Sequence, residues 1–116
     1  MSGEGVTGED VTGRADGPTS YVVTDIEADG PDPGRHSMLS FGSAAVDGAG
    51  RSLGEFTANL QPLPDGEQDP GTMAWWRSEP EAWRETTSDP QDPATVMTAF
   101  ADWVRERGHH RRRVLR

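Results

Sequence analysis

The sequence predicts a small α/β domain: a three-stranded antiparallel meander, then short helices, then one longer helix that packs on the sheet. Three observations predict it. Tyr21, Val22 and Val23 are β-prone residues that run directly into Asp25-Ile26-Glu27. Two further apolar runs follow, Met38 to Val46 and Leu53 to Leu60, and in the second Phe56, Ala58 and Leu60 alternate with Glu55, Thr57 and Asn59. Beyond them Asp92-Pro93 opens a stretch whose apolar residues fall at helical spacing.

The first strand carries the chemistry. Side chains alternate faces on a strand, so Asp25 and Glu27 point the same way, about 7 Å apart. Two carboxylates so placed repel unless a cation sits between them, and Mg²⁺ and Mn²⁺ favour such oxygen ligands. The bland reading is that Asp-x-Glu arises often by chance, because charged residues make up about a quarter of ordinary sequence. Its position at the end of an apolar strand that opens a meander favours the metal reading. Met38 to Val46 brings small residues (Ser40, Gly42, Ser43, Ala44) that permit close packing beside it.

Gln61 to Gly71, with three prolines and three acids, reads as a loop. Thr72 is then expected to cap a short helix running to Trp76 or Arg77, and Pro80 to start a second through Trp83 and Thr86. Trp75, Trp76 and Trp83 are read first as core packing; the functional alternative is that one of them stacks on a nucleotide base. The longer helix is expected over about 93–107. Asp92 is its N-cap, Pro93 its first residue, Val96, Phe100, Trp103 and Val104 its stripe, and Gly108 its C′ residue.

Both ends differ from this middle. Met1 to Ser20 is rich in Gly, Glu, Asp and Thr with only two valines, too little apolar surface to offset ordering, and reads as a disordered acidic leader over 1–20. Residues 105–116 hold six arginines and one glutamate, a net +5, whereas 1–104 hold five arginines and nineteen acids, a net −14. The stretch 109–116 therefore reads as a disordered basic tail, with His109 and His110 solvated, and 21–108 as the folded part. A tail that binds nucleic-acid phosphates is the weaker alternative.

The absence of cysteine excludes disulfide frameworks and Cys zinc sites, and no lysine accompanies the eleven arginines. There is no Gly-rich phosphate loop and no Gly-x-Ser-x-Gly elbow. No apolar run approaches 18 residues and no signal-peptide core is present, so a cytoplasmic protein without a membrane partner is expected.

Asp25, Glu27, Gly30 and the Leu39–Ser43 segment, Leu-Ser-Phe-Gly-Ser, resemble the first motif of the DEDD superfamily of 3′–5′ exonucleases. That superfamily has the ribonuclease H-like fold and includes polymerase proofreading subunits, ribonuclease T and oligoribonuclease. Thr72-x-x-Trp75-Trp76 followed by an acidic, Ala-containing helix is similar to a segment of one bacterial and phage branch. The resemblance spans roughly 21–104.

It implies a ribonuclease H-like fold, a two-ion Mg²⁺ or Mn²⁺ site and hydrolysis of single-stranded nucleic acid from its 3′ end. Asp25 and Glu27 are then catalytic ligands. Ala28, Asp29 and Gly30 meet the substrate's terminal sugar, with Ala28 where many members carry Thr. The family continues into further strands and two more carboxylates, so the chain is expected to be a truncated first portion, weakly active or inactive. A sheet edge left uncovered is expected to drive self-association.

Two other classes compete. One is a non-catalytic remnant or interaction module that keeps the first half of the fold without its chemistry. The other is a calcium loop, since Asp25, Glu27, Asp29 and Gly30 fall at positions 1, 3, 5 and 6 of an EF-hand register. Against it, position 12 is His36 rather than Glu, and Tyr21–Thr24 reads as a strand where a helix is required.

Overall fold

A computed structural model describes residues 19–108. The first strand, β1 (Ser20–Ala28), pairs antiparallel with β2 (Met38–Asp47), which pairs antiparallel with β3 (Ser52–Asn59), in the order β1-β2-β3. Three helices follow: α1 (Pro70–Arg77), α2 (Pro80–Thr86) and α3 (Pro93–Gly108). The expected meander and helices are all present, so the chain is a mixed α/β structure. Of the acidic leader expected over 1–20, only Thr19 and Ser20 are described, and Ser20 already belongs to β1; the tail over 109–116 lies outside the described residues.

Register assigns the faces, because residues directly opposite one another in an antiparallel pair share a side. Thr24 faces Ser43, and their hydroxyls lie 2.7 Å apart. Ile26 faces Phe41, Phe41 faces Ala58, and Ser43 faces Phe56. This is the side that α3 covers. Leu39, Phe41, Ser43 and Ala45 alternate as the buried residues of β2, as a half-covered antiparallel strand requires.

The core is aromatic. Phe41 meets Phe100 edge-on at 5.0 Å between ring centroids, and Phe56 lies 5.3 Å from Phe100 and 5.8 Å from Trp103. Phe41, Leu60 and Val96 form its buried centre, with Met38, Phe56, Ala58 and Phe100 packed around it. The stripe of α3 is expected to lie against the first and second strands. The helix does approach β1, and it also approaches β3. Its rings meet Phe41 of β2 and Phe56 of β3, while Val22 and Ile26 on the same side of β1 stay 38% and 54% exposed. The aromatic residues available to α3 sit on β2 and β3, so its ring contacts form there.

Two local expectations are corrected. Asp69, not Thr72, caps α1: its Oδ2 accepts from the Thr72 backbone N–H at 2.9 Å and from the Thr72 hydroxyl at 2.8 Å, with Pro70 as the first helical residue. Thr72 is thus the residue being capped. Gly108 is the last residue of α3 rather than the one beyond it. Asp92 caps α3 as expected, accepting from the Thr95 N–H at 3.0 Å.

Gly54 in β3 has φ +141°, a backbone setting that glycine tolerates best, and the ladder shifts register between its partner Ala45 and Val46. A Cβ there would lie 2.9 Å from Nε of Arg107, whose guanidinium stands 5.3 Å over the Trp103 ring. The bare backbone at Gly54 lets the end of α3 approach the sheet.

Candidate functional site

Asp25 faces Gly42, and Gly42 faces Thr57; Glu27 faces Ser40, and Ser40 faces Asn59. These residues occupy the side of the sheet away from α3. Asp25 and Glu27 therefore stand together on the open face, as strand alternation predicts, with Asp25 exposed and Glu27 half-buried. Gly42 presents no side chain beside Asp25. The nearest groups across the sheet are hydroxyl and amide bearers, so the open face near the pair is polar and uncrowded.

Directly after Glu27 the ladder shifts register, and the chain leaves the sheet through a turn tied down at nearly every residue. The Ala28 carbonyl accepts the indole N–H of Trp76 at 3.0 Å. Asp29 is 3% exposed; its carboxylate accepts the Ser37 N–H at 2.6 Å, its own N–H donates to the Ser37 carbonyl at 3.1 Å, and its carbonyl accepts the Asp69 N–H at 2.9 Å. Gly30 lies flat beneath His36: a Cβ on it would be 2.2 Å from the ring. His36 is buried, and its Nδ1 accepts the Asp32 N–H at 3.0 Å. Ser37 in turn accepts the Leu63 N–H at 2.9 Å through its hydroxyl.

The turn and the 61–69 loop are thus stitched into one unit, and Asp69 passes the connection on to α1. The Thr72 backbone and hydroxyl donors, aided by His36 and Arg35 nearby, hold the Asp69 carboxyl below the ordinary carboxylate value. Asn59 performs the same service at the other corner, donating its amide to the carbonyls of Glu85 and Ser88 at 2.8 Å each and so fixing the end of α2.

Of the residues assigned from sequence, Asp25 and Glu27 are brought together and left free of hydrogen bonds to other side chains of the described chain. Ala28, Asp29 and Gly30 sit immediately beside them but are engaged within the fold, by Trp76, by Ser37 and by His36. Among the three tryptophans, Trp76 is 3% exposed whereas Trp75 is 53% exposed, with the two rings 4.7 Å apart and Trp83 packed 5.4 Å from Trp76. Core packing holds for Trp76, and Trp75 offers an open ring. Asp102 is exposed on the outer side of α3, paired with Arg105, and so lies on the far side of the sheet from Asp25.

Sequence reasoning missed the tie between Trp76 and Ala28 and the structural roles of Asp29, His36 and Ser37. A buried indole needs an acceptor and a chain leaving a strand has carbonyls to offer, but 48 positions separate the two. Nothing local signals that pairing.

Among the described residues, no three His, Asp or Glu side chains gather as a set that could hold an ion, and no helix is long and apolar enough to cross a membrane. The chain matches no family model and no curated protein.

Proposed function

We propose that this chain carries the first half of a metal-dependent 3′–5′ exonuclease centre on a ribonuclease H-like framework. In that reading Asp25 and Glu27 bind Mg²⁺ or Mn²⁺, and the substrate is the 3′ end of a single-stranded nucleic acid. The observation that carries it is their placement: two carboxylates side by side on the open face of β1, at the point where the ladder ends. Hard oxygen donors with this spacing, and with no side-chain hydrogen-bond partner among the described residues, suit a hard divalent ion.

When bound, such an ion would supply a more acidic water for in-line attack on the terminal phosphodiester and would stabilise the departing 3′ oxygen. The chain's own residues would do the rest. Asp25 would hold the ion from the strand, and Glu27 would hold it from the nucleophile's side. The Ala28–Gly30 backbone, stiffened by Trp76, Ser37 and His36, would stand where the terminal sugar rests. Trp75 would present its ring to a base.

Two carboxylates fall short of the roughly four that a two-ion centre uses. That shortfall favours a second reading, in which the chain is an interaction module without turnover of its own. The calcium-loop alternative has less support, because β1 continues to Ala28 where the register calls for loop ligands, and the Asp29 carboxylate is taken by Ser37.

The test is calorimetry with Mn²⁺, Mg²⁺ and Ca²⁺ on the chain and on its Asp25→Asn and Glu27→Gln variants, followed by an assay on single-stranded oligonucleotides. Binding of Mn²⁺ that both variants lose supports the metal role. Equal heats from all three proteins, or a clear preference for Ca²⁺, would sink it.

A further inference from the structure

The side chains of β1 stay largely exposed from Tyr21 to Ile26, although α3 approaches one face. Tyr21 and Val23 stand 54% and 63% exposed on the carboxylate side, and Val22 and Ile26 are exposed on the α3 side. Among the described residues no strand pairs with its outer edge. Ser20–Ala28 contains no proline, lysine or arginine, and the ladder keeps its register up to Glu27, so the usual devices that blunt an edge are missing apart from the two carboxylates. An edge of nine residues with apolar side chains on both faces favours pairing with another strand.

Only one antiparallel register pairs β1 with a second β1 along its full length. With a two-fold axis at Thr24, all nine residues find a mate. Val22 then faces the partner's Ile26, apolar against apolar, on the α3 side. Tyr21 faces the partner's Glu27 and Val23 faces the partner's Asp25 on the other. Moving the axis to Asp25 would set that carboxylate against the partner's Asp25, and moving it to Ile26 would set it against the partner's Glu27. Like charges directly opposite are unfavourable in either case.

We propose that a second copy of this chain pairs with β1 about an axis at Thr24, forming a continuous six-stranded sheet. In that arrangement Asp25 and the partner's Asp25 are diagonal neighbours, about 7–8 Å apart, on one face. Four carboxylates then line the face on which a single chain has two. The two Asp25 carboxylates are then close enough to share an ion across the seam, with each Glu27 farther out along its own strand. This sharing rests on the metal reading of Asp25 and Glu27; the pairing itself rests on the edge alone.

Sedimentation velocity on the full chain tests both, first with chelator and then with Mn²⁺. The expected result is a dimer in chelator whose dissociation constant falls at least about tenfold with Mn²⁺, as added ligand charge implies. Val22→Lys combined with Ile26→Lys sets lysine against lysine in this register and should give a folded monomer by circular dichroism. Val22→Lys combined with Ile26→Glu sets lysine against glutamate and should restore the dimer. A monomer at every concentration, or a dimer that the lysine pair leaves intact, overturns the proposal. A dimer indifferent to Mn²⁺ upholds the pairing and overturns the shared ion site.

Discussion

Trp76 donates its indole N–H to the carbonyl of Ala28 across 3.0 Å, tying the last turn of α1 to the residue that follows Glu27. Through this bond a helix that contributes no carboxylate governs the end of the strand that carries two. The indole is buried and packs with Trp75 and Trp83, their ring centroids 4.7 and 5.4 Å away, so its direction is set by packing and not by the hydrogen bond alone.

Trp76→Phe keeps most of the buried ring and removes the donor. The Ala28 carbonyl loses that partner, at a cost of about 1–3 kcal/mol. Urea denaturation should show the loss as a lower midpoint with an unchanged slope. A change in slope instead would mean that the helix had come away from the sheet.

The two carboxylates predict an opposite trend. They stand about 7 Å apart with no cation between them, so their repulsion across water is roughly 0.5 kcal/mol. Asp25→Asn should therefore raise stability slightly without metal while lowering Mn²⁺ affinity about tenfold or more. Thermal melts with and without Mn²⁺ read both effects: the wild type gains stability from the ion, and the variant gains little. A variant that melts lower than wild type in chelator would show that Asp25 has a structural role.

Much of this arrangement was legible in the sequence because it rests on short-range rules. Alternation placed Asp25 and Glu27 on one face, and the apolar runs gave all three strands. Asp92-Pro93 marked the start of α3. What was not legible depends on contacts distant in the chain. The Asp29 carboxylate reads as an exposed loop acid until Ser37 is known to lie against it, and the same holds for Asn59 beneath Glu85 and Ser88. Asp69 as cap is decidable locally, since Asp69-Pro70 repeats the Asp92-Pro93 signal, but Pro62, Pro64 and Pro70 together make the segment read as loop up to Gly71.

Gly30 illustrates a constraint of space. A methyl group there would lie within 2.2–2.6 Å of three atoms of the His36 ring, and that ring is buried and bonded to the Asp32 N–H. Gly30→Ala must displace the ring and open the 29–37 turn, a steric fault of the kind that costs about 1–3 kcal/mol. Chymotrypsin digestion should cut the variant faster after Leu39, whose N-terminal neighbours the turn holds in place. An unchanged digestion rate would mean that the turn tolerates the shift.

Acid should reach this fold through its caps. The Asp69 carboxyl is held below its ordinary value by the Thr72 N–H and then its hydroxyl, and Asp92 likewise by Thr95. Asp47 is held down first by the Arg51 N–H, with the Ala49 N–H and the Arg51 side chain adding to it. A carboxyl depressed in the folded state binds its proton later than the same group in the unfolded chain, whose value is about 3.9. Its stabilising effect is therefore complete above about pH 5 and is lost as pH falls through the unfolded value and then the lower folded one. Asn in place of Asp keeps an oxygen for the N–H donors but does not titrate. The triple variant Asp47→Asn, Asp69→Asn, Asp92→Asn should thus be less stable than wild type at pH 6, because the charge-assisted bonds are gone, yet lose less of its stability between pH 5 and pH 3. Urea midpoints taken at half-unit steps of pH decide it. Parallel curves for the two proteins would place the acid sensitivity in other carboxyls.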